Sequence, residues 1–254
     1  MLAQELKNIV DQFRPITLGE MDEVKLMNRV DTKFAFSFTA FKVILENLKN
    51  DYKTLEIEGT RTPFYESLYF DEANFKYYRD HHNGRTDRYK VRFRNYTESN
   101  LFFLEIKHKV KGRTKKSRIL VDSIPDALTD ENQLNFLKKN IRGFVGLEPK
   151  MWNSFHRITL VNNELKERLT LDFQLKFKWD GKEKEFNNLV IAELKQEVVN
   201  PNSPFYKLMK SNVIRPYRLS KYCIGSIELY GKEVIKYNRF KEKLLKLKSI
   251  NKHE

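Results

Sequence analysis

Arg88, Lys90, Arg92 and Arg94 fall on alternate residues, and so do Lys107 and Lys109, then Lys116 and Arg118. A β-strand points alternate side chains to one face. Each row, read as a strand, therefore holds its cations on a single surface. A guanidinium group grips two phosphate oxygens with a planar fork, and an ammonium group acts as a point charge. Rows of both, held together against their own repulsion, suit a polyanion. From Arg85 to Arg118, twelve cationic residues meet only three acidic ones, Asp87, Glu98 and Glu105. Similar rows stand at Arg29–Lys33 and Arg157–Asp172, which favours convergence of several strands on one site. Phosphoryl transfer needs positioned positive charge more than a nucleophile triad. A terminal phosphate oxygen is already ionised at neutral pH, so the lack of such a triad does not argue against an enzyme.

The 254 residues carry a net charge of +14, and its distribution is uneven. Residues 85–118 and the tail 232–254 account for all of it; the rest of the chain balances to zero. Such local patches imply an anionic partner: phosphate chains, nucleic acid or a membrane surface. Hydrophobic residues at 40% exclude a disordered chain. Cys223 is the only cysteine, so no internal disulfide forms and no zinc spacing exists. The opening MLAQELKNIVDQF lacks the pattern of a signal peptide, and no apolar run approaches the roughly 20 residues of a membrane span. A cytoplasmic setting is expected, and so is a division into an N-terminal segment (1–20), a main domain (21–231) and a basic C-terminal helix (232–254).

The elements that must position these cations can be read from periodicity. The first thirteen residues form an amphipathic helix. Arg29–Phe38 alternates as a strand, with Val30, Thr32, Phe34 and Phe36 opposite Arg29, Asp31 and Lys33. Thr39 is placed to cap a helix that runs to about Asn50. Strands are expected at Tyr52–Glu58, Phe64–Phe70, Arg88–Tyr96, Leu101–Val110, Lys116–Val121, Met151–Val161, Glu167–Lys178 and Leu189–Glu197, and helices at Asn74–His82, Asp126–Asn140, Pro204–Lys210, Ser220–Tyr230 and Glu233–Leu247. In Glu167–Lys178, Leu169, Leu171, Phe173, Leu175 and Phe177 alternate with Arg168, Thr170, Asp172, Gln174 and Lys176. The fold class is therefore α+β: antiparallel strands with one apolar and one charged face. Closed into a barrel with the helices packed outside, they enclose a polar tunnel.

The order Arg29-Val-Asp-Thr-Lys33-Phe, Tyr69-Phe-Asp71, Arg88-Tyr-Lys-Val-Arg92-Phe-Arg94-Asn-Tyr96 and Leu104-Glu-Ile-Lys107-His-Lys109 resembles the VTC (vacuolar transporter chaperone) catalytic domain. It continues with His156-Arg157, Arg168-Leu-Thr-Leu-Asp172, Ala192-Glu-Leu-Lys195 and Arg218-Leu-Ser-Lys221-Tyr222. The resemblance covers roughly residues 20–230. It implies the CYTH-like, or triphosphate tunnel, fold and polyphosphate synthesis from ATP with a divalent metal, manganese above magnesium. Carried over, it implies phosphate-handling roles for Lys33, Arg92, Arg94, Lys107, Arg157, Arg168 and Lys221. It adds substrate contacts at Arg29, Lys90, Lys109, Lys116, Arg118, Arg218 and Ser220, and a metal-binding role for Glu193. Arg29 and Asp31 stand where the wider superfamily has glutamates, and Arg218 where a lysine is expected. The N-terminal segment is too short for an SPX-type regulatory domain.

Other readings stay open at this point. The same tunnel could serve a tripolyphosphatase or nucleoside triphosphatase, or a binder of polyphosphate or nucleotide without turnover. Taken alone, Glu193 reads as an ion-pair partner of Lys195, Asp172 as an orienter of Arg168 or another cation, and Ser220 as a helix cap. Nucleic acid is not expected: Tyr89 and Phe93 lie on the face opposite the arginines, whereas base stacking needs aromatics beside the cations. The C-terminal helix, with Tyr237, Phe240, Leu244 and Leu247 as its apolar stripe, is read as packing on the barrel, or as contacting an anionic membrane surface or a membrane-protein partner.

Overall fold

The computed structural model describes residues 2–22 and 29–252, so the part of the expected main domain at 23–28 lies outside the described residues. The helices are α1 (Leu2–Val10), α2 (Leu18–Asp22), α3 (Phe38–Leu48), α4 (Lys76–His82), α5 (Glu131–Asn140), α6 (Pro204–Ser211), α7 (Lys221–Val234) and α8 (Lys241–Lys252). The strands are β1 (Arg14–Ile16), β2 (Val30–Ser37), β3 (Lys53–Leu55), β4 (Phe64–Asp71), β5 (Arg88–Tyr96), β6 (Leu101–Val110), β7 (Arg113–Val121), β8 (Glu148–Asn162), β9 (Glu167–Trp179), β10 (Lys182–Phe186) and β11 (Leu189–Gln196). The main sheet runs β2-β11-β9-β8-β4-β5-β6-β7, with antiparallel pairing at each step. It curls into a trough. No ladder joins the edge strands β2 and β7. The Tyr217 N–H donates to the Lys33 carbonyl at 2.6 Å, so the segment before α7 covers part of the β2 edge.

Alternation sorts the two faces. Phe34, Phe36, Leu169, Leu171, Ala192 and Leu194 point to the convex side, where α1, α3 and α6 bury them with Leu6, Phe41, Leu45 and Phe205. Leu68, Val91, Phe93, Leu104 and Ile106 continue that layer against Tyr77 of α4 and Leu137 of α5. Each fully buried Leu or Phe contributes about 1.5–3 kcal/mol. This outer core is what holds the cation-bearing concave face open against its own repulsion.

The expected unbroken alternation of β9 is overturned. Between the pairs Ser154↔Lys176 and His156↔Phe173, β9 spends one residue more than β8. Gln174 takes the extra place in a left-handed conformation, φ +50°. Such a bulge flips every later side chain to the other face. Leu169, Leu171 and Phe173 thus join the convex core, whereas Leu175 and Phe177 join a second core with Met151, Phe155 and residues of α7. One end of the trough is filled by that second core. α7 lies so close there that a Cβ on Gly225 would overlap the Met151 sulfur and the Phe177 ring.

Other differences are local. Ser37, not Thr39, caps α3, its hydroxyl accepting from Ala40 N–H at 3.2 Å. Of the strand expected at Tyr52–Glu58, Lys53–Leu55 forms β3, and Ile57 adds an isolated bridge to Thr60. β10 was not expected at all; Lys-Glu-Lys-Glu-Phe carries one apolar residue, too few to show a period. The last helix is two pieces: Gly231, at φ 68° and ψ −177°, ends the regular part of α7, and α8 begins at Lys241. Leu244 and Leu247 are buried against the second core, with Tyr237 and Phe240 packed on it. The apolar stripe is therefore spent inside the molecule. Among the described residues, no helix is long and apolar enough to cross a membrane.

Candidate functional site

The strand register gathers the expected residues on the concave face. Arg94 lies opposite Ser67 and Arg92 opposite Tyr69 on β4. Lys90 pairs with Lys107, and Arg92 with Glu105, on β6. Lys107 and Glu105 then meet Lys116 and Arg118 on β7. In the other wall, Arg157 opposes Asp172. Thr170 opposes Glu193 and Arg168 opposes Lys195. Glu193 opposes Lys33. Lys221 enters from the first turn of α7.

Three carboxylates organise these cations. Glu105, fully buried, accepts from Arg92 Nε at 2.8 Å and Nη2 at 2.6 Å, and pairs with Lys116 at 2.5 Å. Asp172 accepts from Arg157 Nε at 2.5 Å and Nη2 at 2.8 Å, and pairs with Lys221. It orients Arg157 and Lys221, not its strand neighbour Arg168, whose guanidinium lies 3.7 Å from the Met21 sulfur. Glu193 pairs with Lys33 and, at 2.7 Å, with Lys195. Against the penalty of burial, Arg92, Arg94 and Lys116 hold the Glu105 carboxyl well below the usual carboxylate range. Against the same penalty, Arg157 and Lys221 do so for Asp172. Both are anions, so each neutralises part of its wall.

Positive charge remains in surplus. Arg94, 5% exposed, donates to Ser67 Oγ at 3.0 Å and has no carboxylate partner among the described residues. Its guanidinium carbon lies 5.5 Å from the Tyr65 ring and 5.6 Å from Phe155. The nearby Arg92 charge, then burial, then Arg94 and Lys90 push Lys107 far down from the ordinary lysine range. Burial pushes Lys90 down as well. Burial and neighbouring cations depress Lys33 and Lys195, and the Asp31 carboxylate opposes that shift. A polyanion laid here would relieve this repulsion and restore the protons.

Not every expected residue faces the centre. Arg29 is exposed and pairs with Asp31 at 3.1 Å. Arg218 is exposed near Lys109 at the rim. Arg118 is exposed over the Phe103 ring at 4.5 Å. Ser220 caps α7, its hydroxyl accepting from the Cys223 N–H at 3.4 Å. Two concave residues lay outside the expected set. Lys195 had a signal, its two-residue spacing from Glu193. Asp71 stands in the Tyr69-Phe-Asp71 motif with no role attached: its carboxylate accepts the Tyr77 and Tyr78 N–H groups at 2.8 and 2.9 Å and the Tyr222 hydroxyl at 2.5 Å, tying α4 to α7 beside Lys221.

The donor set suits a divalent ion held largely by phosphate oxygens rather than one caged by protein. No three His, Cys, Asp or Glu side chains converge among the described residues. Glu105 and Asp172 are committed to two cations each. Glu193 remains, its side chain 24% exposed and its partners lysines that a phosphate could take over, with Asp31 on the neighbouring strand.

The VTC domain profile matches residues 28–230. The chain belongs to the VTC domain family. That membership supports a nucleotide or polyphosphate activity for the basic trough. No match arises among curated protein sequences. Among solved structures, a putative adenylyl cyclase from Hippeastrum, described as having a dominant triphosphatase activity, is similar at TM-score 0.49 and 15% identity, over 78% of this chain and 94% of that one. A putative adenylate cyclase from Bacillus halodurans is similar at TM-score 0.47 and 13% identity, over 76% and 94%. One from Vibrio parahaemolyticus gives 0.46 and 10%, over 77% and 97%. Likeness at this level decides nothing about activity in the VTC domain described here.

Proposed function

We propose that this VTC domain is a polyphosphate polymerase that moves the γ-phosphate of ATP onto the end of a phosphate chain and releases ADP. The observation that carries the reading is the surplus of buried and half-buried cations on the concave face, spread along the strands rather than gathered at a point. A linear chain of phosphates matches that extended charge. Arg92, Arg94, Arg157 and Lys221 are suited to hold the triphosphate, and Lys33, Lys90, Lys107, Arg168 and Lys195 to hold the acceptor and the departing phosphates. Arg157 and Lys221 share Asp172, which fixes their orientation before substrate arrives and lowers the cost of ordering them. The acceptor oxygen is already ionised, so no residue need remove a proton. Glu193, with Asp31 nearby, would hold Mn²⁺ or Mg²⁺; bound there, the ion would supply charge neutralisation at the transferring phosphate.

Incubation of the purified protein with ATP and Mn²⁺ or Mg²⁺ tests the reading. Long phosphate chains with ADP support it. Orthophosphate in place of chains would instead indicate a triphosphatase using the same trough. Binding without any product would leave a sensor, and the polymerase reading would be abandoned. Glu193→Gln should abolish turnover while ATP still binds; retained turnover would remove Glu193 from the site.

A further inference from the structure

The two ends of the cation rows differ in kind. Towards the start of β5 the row ends in Arg88 and Lys109, with Arg218 at the rim. Towards the end of β5 it runs into rings on the same concave face. Tyr65 stacks on Phe155 at 5.5 Å and 7°. Tyr96 meets Tyr65 edge-on at 5.3 Å and Phe103 edge-on at 5.7 Å. Phe103 lies across from Arg94 on β5 and from Leu120 on β7, and Leu101 across from Tyr96. Leu120 is 62% exposed and Leu101 42%. The Arg118 guanidinium is laid over Phe103, leaving its outer face open. This is an apolar and aromatic shelf level with the phosphate-binding arginines: Phe103 is one strand across from Arg94, and Arg118 two strands, about 10 Å, across from Arg92.

We propose that this shelf takes the base of a nucleoside triphosphate whose phosphates lie on Arg92, Arg94 and Arg157; the inference rests on the phosphate-binding reading above. The base stacks on the open face of the Arg118 guanidinium, with Phe103 behind it, and its edge packs against Leu101 and Leu120. Guanidinium planes and aromatic rings stack bases through their π-faces with little regard to base identity. The two strand spacings between Arg92 on β5 and Arg118 on β7 leave room for the ribose. The site therefore favours nucleoside triphosphates over inorganic triphosphate, and the larger purine surface over pyrimidine. Arg118 thereby recognises the base, not a phosphate. The shelf also sets direction: the nucleoside enters from the Tyr96 end, and the chain leaves past Arg88 and Lys109.

Calorimetric binding of ATP and of inorganic triphosphate, without divalent metal so that nothing turns over, tests this. Wild-type protein should bind ATP more tightly than inorganic triphosphate. Arg118→Ala and, as a ring deletion that keeps the packing apolar, Phe103→Leu should each lower ATP affinity roughly tenfold or more, with inorganic triphosphate unaffected. Equal wild-type affinity for the two ligands, or a parallel loss of both in Arg118→Ala, overturns the base shelf while leaving the phosphate trough intact. If wild-type protein binds neither, the phosphate reading falls and takes the shelf with it.

Discussion

In the β8–β9–β11 wall of the trough, carboxylates sit between pairs of cations: Asp172 between Arg157 and Lys221, Glu193 between Lys33 and Lys195. In the β5–β6–β7 wall, Glu105 alone plays that part, for Arg92 and Lys116. Arg94, Lys90 and Lys107 face it with no ion pair of their own among the described residues. The first wall is a set of oriented, partly neutralised groups. The second carries the unbalanced field. Since both are packed on the same kind of apolar outer core, the difference is not one of rigidity. It separates two tasks: holding donors in geometry, and supplying the net charge that a polyanion must neutralise.

The largest expected effect falls on the neutralised wall. Asp172→Asn leaves Arg157 and Lys221 buried without their carboxylate, which should cost about 3–5 kcal/mol of stability. Thermal unfolding should show the loss, and added inorganic triphosphate should recover part of it. A loss below about 1 kcal/mol, the worth of an exposed pair, would mean that the two walls do not differ. In the surplus wall the sign pattern changes. Arg94→Ala should cut turnover of ATP by roughly 10²–10³-fold, with stability changed by only about 1 kcal/mol, because relieved repulsion offsets the lost Ser67 hydrogen bond. Lys107→Met should go further and raise the ligand-free melting temperature by about 2–4 °C while weakening triphosphate binding. A lowered melting temperature would show that Lys107 is not repelled in the folded state.

The smallest effect is on pH. Folded Lys107 and Lys90 release their protons more readily than unfolded lysines do. Below the ordinary lysine value the unfolded chain therefore binds more protons, and ligand-free stability should rise as the pH climbs toward about 10. A bound polyanion restores those protons, so the stabilisation by inorganic triphosphate should shrink over the same interval. Melting curves with and without ligand would show the two slopes; parallel slopes would contradict the surplus.

How much of this was legible beforehand differs from residue to residue. Arg88 to Arg94 and Lys107 to Lys109 could be assigned to one face from spacing alone. Strand ends at Tyr96, Leu101 and Val110 could be placed because Thr97–Asn100 reads as a turn. The partners of those cations could not. Asp172 reads from the sequence as an orienter of Arg168 or another cation; which cation could not be read, since Arg157 and Lys221 come from another strand and from a helix 49 residues away in sequence. β10 escaped because its pairing with β9, not its own pattern, makes it a strand.

Local chemistry sets which way a side chain points along a regular strand, since the pleat repeats every two residues. The sequence by itself therefore determined the cation rows and the apolar outer face. Tertiary structure decided what lies across from what. The extra residue at Gln174 reverses the faces of β9, so that Arg168 and Asp172 line the trough while Leu175 and Phe177 fill its end beneath α7. Only tertiary packing brings Lys221 of α7 to Asp172, and only strand register brings Lys33 to Glu193; Lys195 reaches it along β11 itself. The first two contacts depend on register and packing summed over many residues, which no short stretch of the chain encodes.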